Sequence, residues 1–340
     1  MREGRLFEMS QTLTLEDIYA PVEKPLQQVP DSILKILSTP NDLASDVIRY
    51  FFSGKGKLLR PALTLLGAAL KQPRLIESQS TALIRLASSY EIFHAATLIH
   101  DDIIDSAYLR RNLPTVNVKW GAQTAVLVGD YLHDRALDVI HTEGSRQVFS
   151  LFLKTAAEVC DGEIHELSQK QNFKLTEEDY FEIVRKKTAV LLACALESGA
   201  RFAGAEDQEA AALYRYGHYF GMAFQIVDDC LDFTGNEHEF GKTLGADLEA
   251  GVLTLPLIRL LEISNEAERK DITDIFQANG EAGKLRSLLD KIREAKTIEY
   301  ALSKAREFNV LARQELKSFP ASPVKQSLDK LLDYVLERNK

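Results

Sequence analysis

The sequence predicts an all-α protein folded as one domain, and three observations lead there. Ala, Leu, Glu and Lys dominate a 340-residue chain that holds only 18 Gly and 10 Pro, a balance that favours helices over the turn-rich composition of sandwiches and barrels. Apolar residues recur at helical spacing through most of the chain, and no alternating period-2 run is convincing. No Ser/Gly-rich or Pro-rich tract and no fixed-period repeat divides residues 1–340, and 45% hydrophobic content is enough for a substantial core.

The elements follow in order. Helices are expected over 42–52 and 59–71, then over a long stretch from 78 to 105 in which Leu83, Leu86, Ala87, Tyr90, Phe93 and Thr97 repeat at helical spacing without Gly or Pro; it should end near Arg110 and Arg111, before Pro114. Further helices are predicted over 122–141, 145–170, 177–203, 207–233, 253–263, 266–278, 296–317 and 324–338. Their breaks fall at Gly121, Gly144, Asn172, Gly204, the glycine-bearing 235–245 segment and Pro320. The stretch 189–196 is apolar on every side, the mark of a central helix surrounded by others.

Composition excludes several function classes. A net charge of −9 argues against a nucleic-acid surface, so any phosphate binding must be local. Cys160, Cys194 and Cys230 are far apart, with no CxxC pair or metal-ligand spacing, and read as reduced core thiols of a cytoplasmic protein. No apolar run reaches the ~18–20 residues of a membrane span, although an amphipathic contact with a membrane surface stays open. Arg2, Glu3, Arg5 and Glu8 interrupt any signal-peptide core, residues 1–12 are expected to be disordered, and Met9 is an alternative start.

Two clusters carry chemistry. Asp101, Asp102 and Asp105 form DDIID on the long helix, with Asp101 and Asp105 one turn apart. Like charges at that spacing cost helix stability unless a hard cation sits between them, and carboxylates are preferred ligands of Mg²⁺. Asp228, Asp229 and Asp232 repeat the pattern as DDCLD in an otherwise apolar segment, where unpaired carboxylates would be expensive. Six carboxylates exceed the needs of one metal, and a polyanion bridged by several Mg²⁺ ions is implied. Cations lie near both clusters. Lys57 and Arg60 sit in GKGKLLRP at a helix start, where an anion is favoured and ordinary surface cations fit equally. His94 shares a face with Asp101. Arg110 and Arg111 suit a helix C-terminus or a bidentate phosphate. Lys187, Thr188 and Gln225 are individually ambiguous, and the loop 234–245 with Lys242 could close over phosphates.

Taken together, GKGKLLRP, FHAATLIHDDIIDSAYLRRN, GDYLHDRAL, KTAVLLA and GMAFQIVDDCLDFTGNEHEFGKTLGADL resemble, in order and spacing, the trans-isoprenyl diphosphate (polyprenyl) synthases, over about residues 54–256. The resemblance implies the isoprenoid synthase-type bundle of roughly a dozen helices around a deep central cavity, as a homodimer. It implies that Asp101, Asp105 and Asp228, assisted by Asp102, Asp229 and Asp232, hold three Mg²⁺ ions on the allylic diphosphate, with Arg110, Lys187, Thr188, Gln225 and Lys242 as further contacts. Lys57, Arg60, His94 and Arg111 correspond to the isopentenyl diphosphate site. Small residues at Ala96 and Thr97, where short-chain members carry bulky aromatics, leave the floor beneath the first cluster open, with Phe93 one turn deeper as the residue that could still limit it. That favours a product longer than C20, in the C30 to C50 range, made from farnesyl or geranylgeranyl diphosphate. A short-chain (C15 to C20) synthase, a terpene cyclase and a catalytically silent helical partner are the alternatives; DDCLD does not fit the mixed second metal site of a cyclase, and a silent partner should have lost aspartates. Leu58 stands where many relatives carry Arg, and Ala246 where they carry Lys, which puts substrate affinity in question.

Overall fold

A computed structural model describes residues 13–54, 56–234, 251–277 and 282–337. Residues 1–12 with Met9, and Lys242 and Ala246 in the predicted loop, lie outside the described residues. Helices α1 (Leu15–Tyr19), α2 (Glu23–Leu26) and α3 (Val29–Ile36) precede the first predicted helix. They escape the periodicity test because each is short. There follow α4 (Asp42–Phe51), α5 (Leu59–Lys71), α6 (Arg74–Glu77), α7 (Thr81–Ile104), α8 (Val116–Trp120), α9 (Ala122–Glu143), α10 (Arg146–Gln169), α11 (Glu177–Val184), α12 (Val190–Phe202) and α13 (Asp207–Thr234), then C-terminal helices Leu255–Ile263, Glu266–Gln277, Ala282–Glu294, Thr297–Glu315 and Pro323–Glu337.

The centre of the bundle is α12, in which every residue from Val190 to Ala200 is buried. It is packed by α5, α7, α10 and α13. A β-carbon on Gly199 would lie 1.8 Å from the Thr64 carbonyl oxygen, so α5 and α12 reach their close approach only because that position has no side chain. Tyr90 on α7 reaches α12 by donating its hydroxyl to Ser198 Oγ at 2.6 Å. The helix Thr297–Glu315 lies along α13, and Pro323–Glu337 packs on α1 and α13.

Three expectations are corrected. The helix predicted over 177–203 is two helices joined by a π turn, Arg185–Ala189. The long helix ends at Ile104 with Asp105 as its C-cap, so Arg110 and Arg111 do not sit at a helix C-terminus. They belong to a small antiparallel hairpin in which Leu109 and Arg110 pair with Pro114 and Leu113. Its two turn residues, Arg111 and Asn112, have φ of 51° and 62°, the sign a two-residue turn needs to match strand twist. The helix Ala282–Glu294 lies in a stretch for which the sequence predicted none.

Candidate active site

A cavity of about 840 Å³ opens between α5, α7, α10, α11, the π turn and α13, and is closed on one side by Tyr19 and by Tyr334 of the last helix. On α7 the lining residues Glu91, His94, Leu98, Asp101 and Asp105 step by three or four, which places them on one face. On α13, Phe224, Asp228 and Asp232 step by four, with Gln225 and Asp229 one position on from the first two, so they line the cavity as a broader face. The two aspartate clusters therefore contribute to one chamber, as their separation on two helices led us to expect. Lys57, Arg60 and Arg111 line it near Glu91 and His94, while Lys187 and Thr188 line it from the π turn.

Each cluster divides its labour. Asp102 is 2% exposed, does not line the cavity, and receives Arg110 Nε at 3.0 Å on both oxygens and Nη2 at 2.8 Å. Asp102 and Arg110, expected to assist with metal and to meet the allylic diphosphate respectively, are paired with one another here, tying the hairpin to α7. Asp229 is likewise buried; it accepts the Tyr180 hydroxyl at 2.5 Å and the Gln225 amide at 2.7 Å, and Thr188 donates to Gln225 at 2.8 Å. In both motifs neighbouring side chains brace the second aspartate, although Asp229, unlike Asp102, also lines the cavity.

Lys187 reaches its place through the π turn, which inserts a residue into the helical ladder and so re-aims the side chains around it. The turn lies so near α10 that a β-carbon on Gly162 would be 2.7 Å from Lys186 Cβ and 3.0 Å from the Lys187 nitrogen. Lys187 Nζ is held by Glu163 at 2.9 Å and Glu166 at 2.5 Å. Burial opposes its charge, but these two carboxylates more than offset that and hold its pKa above the usual lysine range. Asp105 pairs with Lys170 at 3.0 Å.

The Asp101 carboxyl is pushed up to about 7, first by burial and then by the charges of Glu163 and Asp105, against the opposing pull of Lys187 and Arg110. A hard cation would relieve that repulsion, and carboxylate oxygens are what Mg²⁺ prefers, so the Asp101 and Asp105 donors fit the metal by their chemistry; among the described residues no three His, Cys, Asp or Glu side chains converge closely enough to hold one. At the other end, burial first and then Arg60, Arg110 and Arg111 keep His94 well below the ordinary histidine range. Burial lowers Arg60 to about 10, with Glu91 opposing.

The predicted floor is only partly confirmed as lining. Thr97 faces the cavity. Ala96 is 2% exposed and does not line it, and Phe93 points into a separate aromatic cluster, edge-on to Phe152 at 4.9 Å. Sequence reasoning missed Glu91, Glu163, Glu166 and Tyr180. Glu163 and Glu166 continue the spacing of Val159 along α10, a signal available but unremarkable in an acidic helix; Tyr180 carried none.

A family model described as Polyprenyl synthetase matches residues 41–292. The chain belongs to this family. It is 33% identical over 324 residues to the "All-trans-nonaprenyl-diphosphate synthase (geranyl-diphosphate specific)" of Rhodobacter capsulatus, covering 95% of this chain and 98% of that one. It is 34% identical to "Heptaprenyl diphosphate synthase component 2" of Geobacillus stearothermophilus over 86% of this chain and 89% of the other. The crystal structure of a decaprenyl diphosphate synthase from Rhodobacter capsulatus superposes with a TM-score of 0.89 at 32% identity, covering 96% of this chain and all of that one. These polyprenyl synthases share its all-α architecture, and the family is generally Mg²⁺-dependent. Among the described residues no helix is long and apolar enough to cross a membrane.

Proposed function

We propose that the chain condenses isopentenyl diphosphate with an allylic diphosphate to give an all-trans polyprenyl diphosphate in the C30 to C50 range. The observation that carries this is one cavity with aspartate faces on two helices, a lysine between them and a separate cationic end. Asp101, Asp105, Asp228 and Asp232 would hold up to three Mg²⁺ ions, which supply charge neutralisation at the leaving diphosphate. Lys187, fixed by Glu163 and Glu166, adds a cation at a set position beside that leaving group. Ionisation of the allylic C–O bond leaves a delocalised carbocation, and the faces of Phe220 and Phe224 in the cavity wall stabilise such charge while keeping water away.

Lys57, Arg60 and Arg111 bind the second diphosphate and orient its alkene toward C1. His94, neutral at physiological pH, serves there as a hydrogen-bonding group. The proton lost on bond formation goes to the departing diphosphate. Small Thr97 in the wall leaves room for a tail to lengthen.

A homodimer is part of this reading. Ile104 at the end of α7, Tyr108 and Leu109 just after it, Leu127 on α9, and Ile164 and Leu167 on α10 are exposed apolar side chains that a partner subunit would cover. One relative is named as component 2 of a heptaprenyl diphosphate synthase, which makes a second, different subunit the rival arrangement, and a cytoplasmic enzyme with transient membrane contact for product release fits either. The decisive experiment incubates purified protein with Mg²⁺, excess isopentenyl diphosphate and geranyl, farnesyl or geranylgeranyl diphosphate in turn, and reads products by mass spectrometry. A ladder ending at one long prenyl diphosphate is expected; no elongation from any starter overturns the proposal. Light scattering on the same sample reports the mass of the assembly.

A further inference from the structure

Glu91 stands one turn before His94 on α7 and lines the cationic end of the cavity. A β-carbon on Gly56 would come within 3.5 Å of Glu91 Oε1 and 3.8 Å of both terminal nitrogens of Arg111, so Gly56, this carboxylate and that guanidinium converge on one spot. Arg60 lies on the other side with its Nε buried and without a hydrogen-bond partner. Leu58 and Arg111 both hold left-handed backbone, at φ of 49° and 51°, a strained conformation for side chains of this kind. Two strained residues thus flank the cations at this end.

A buried guanidinium needs a compensating charge in the free protein, and Glu91 is the acidic group acting on Arg60; burial raises its own carboxyl, while Arg60 and then Arg111 draw it back toward the charged form. We infer that Glu91 is the resident counter-ion of the second-substrate site, balancing the charge of Arg60 and Arg111 until a diphosphate takes them over. The inference rests on reading this end as the isopentenyl diphosphate site. It follows that carboxylate and ligand compete for the same cations. Glu91 thereby tempers the hold of the site on any diphosphate, so that substrate enters and misplaced diphosphate leaves.

The test uses the full chain in chelator, without divalent metal, so that the aspartate end does not hold diphosphate, and follows inorganic diphosphate binding by calorimetry. Glu91→Gln should bind about tenfold more tightly than the parent, equivalent to about 1.4 kcal/mol, while the free variant unfolds at lower temperature. Glu91→Asp, with its charge retracted, should bind about threefold more tightly and serves alone if the Gln variant does not fold. In turnover, the KM for isopentenyl diphosphate should fall in Glu91→Gln and the KM for the allylic substrate should not move. Equal or weaker diphosphate binding in the variants overturns the counter-ion role. If instead the parent binds no diphosphate, or Arg111→Ala leaves its binding unchanged, the substrate-site reading fails and takes the inference with it.

Discussion

Tyr180→Phe removes one oxygen from the strut beneath the second aspartate cluster. Tyr180 is buried, and its hydroxyl lies 2.5 Å from Asp229 Oδ2, while Gln225 holds Oδ1 at 2.7 Å. A hydrogen bond to a charged acceptor contributes about 1.5–3 kcal/mol. Because Gln225 keeps its contact and the ring keeps its volume, about 2 kcal/mol is the expected loss, or roughly 3 °C in thermal unfolding for a chain of this size. Outer groups that orient ligands typically change activity about 10–100-fold, and since Asp228 is the neighbour of Asp229, turnover should fall by about tenfold with the KM for isopentenyl diphosphate unchanged. The assay is far-UV melting of metal-free protein, repeated in an Asp229→Asn background, where the effect should shrink by about half as the charge is gone. A melting temperature within about 1 °C of the parent, or an equal loss in both backgrounds, would refute the strut.

Four further outcomes are expected. Asp101→Ala and Asp228→Ala should each abolish turnover with unchanged far-UV spectra; near-normal turnover in either sinks the metal assignment. Thr97→Phe should shorten the longest product seen by mass spectrometry, whereas Ala96→Phe, in a packed position, should chiefly destabilise by about 1–3 kcal/mol; the reverse pattern would return Ala96 to the floor. Gly162→Ala should displace the π turn and lower turnover while leaving helix content intact, as kinetics and circular dichroism together would report. His94 and His218 are both held below the ordinary histidine range, His94 by burial and then Arg60, and His218 by burial and then Arg185. A depressed pKa contributes stability above the unfolded value near 6.5 that is lost as pH falls, whereas the raised Asp101 carboxyl gains stability over the same fall, so the readout is the difference: from pH 7.5 to 5.5 the melting temperature of His94→Gln should rise relative to that of the parent, and an identical pH slope in that variant rules His94 out as a source.

Most helices and the chemistry of the chamber were legible in the sequence, because they rest on residue type and spacing. DDIID and DDCLD announce charge where charge is costly, and the apolar stretch 189–196 announces a central helix. What sequence did not convey is which way neighbouring polar groups turn. Asp101 and Asp102 are adjacent, yet one lines the cavity and the other is bound by Arg110, a distinction created by the hairpin that brings Arg110 back over α7. Phe93, one turn deeper than Ala96 and Thr97, is a candidate limit on product length by its place on the helix, but its ring packs edge-on to Phe152 on α10. Tyr180 matters only through a contact 49 residues away, and no local pattern encodes that.

The π turn at Arg185–Ala189 also has a bearing on how the chain tolerates change. An extra residue in one helical turn offsets everything beyond it by about 100° around the axis, so α11 and α12 keep separate phases, and Tyr180 and Lys187 can both face the chamber although a single straight helix would not bring them there in the same way. Loss of one codon in that turn would let the ladder close into an ordinary α-helix with no break in its hydrogen bonding. The protein would remain helical and well packed on one side of the deletion while the other side rotated out of alignment. In this stretch, length is a tighter constraint than identity.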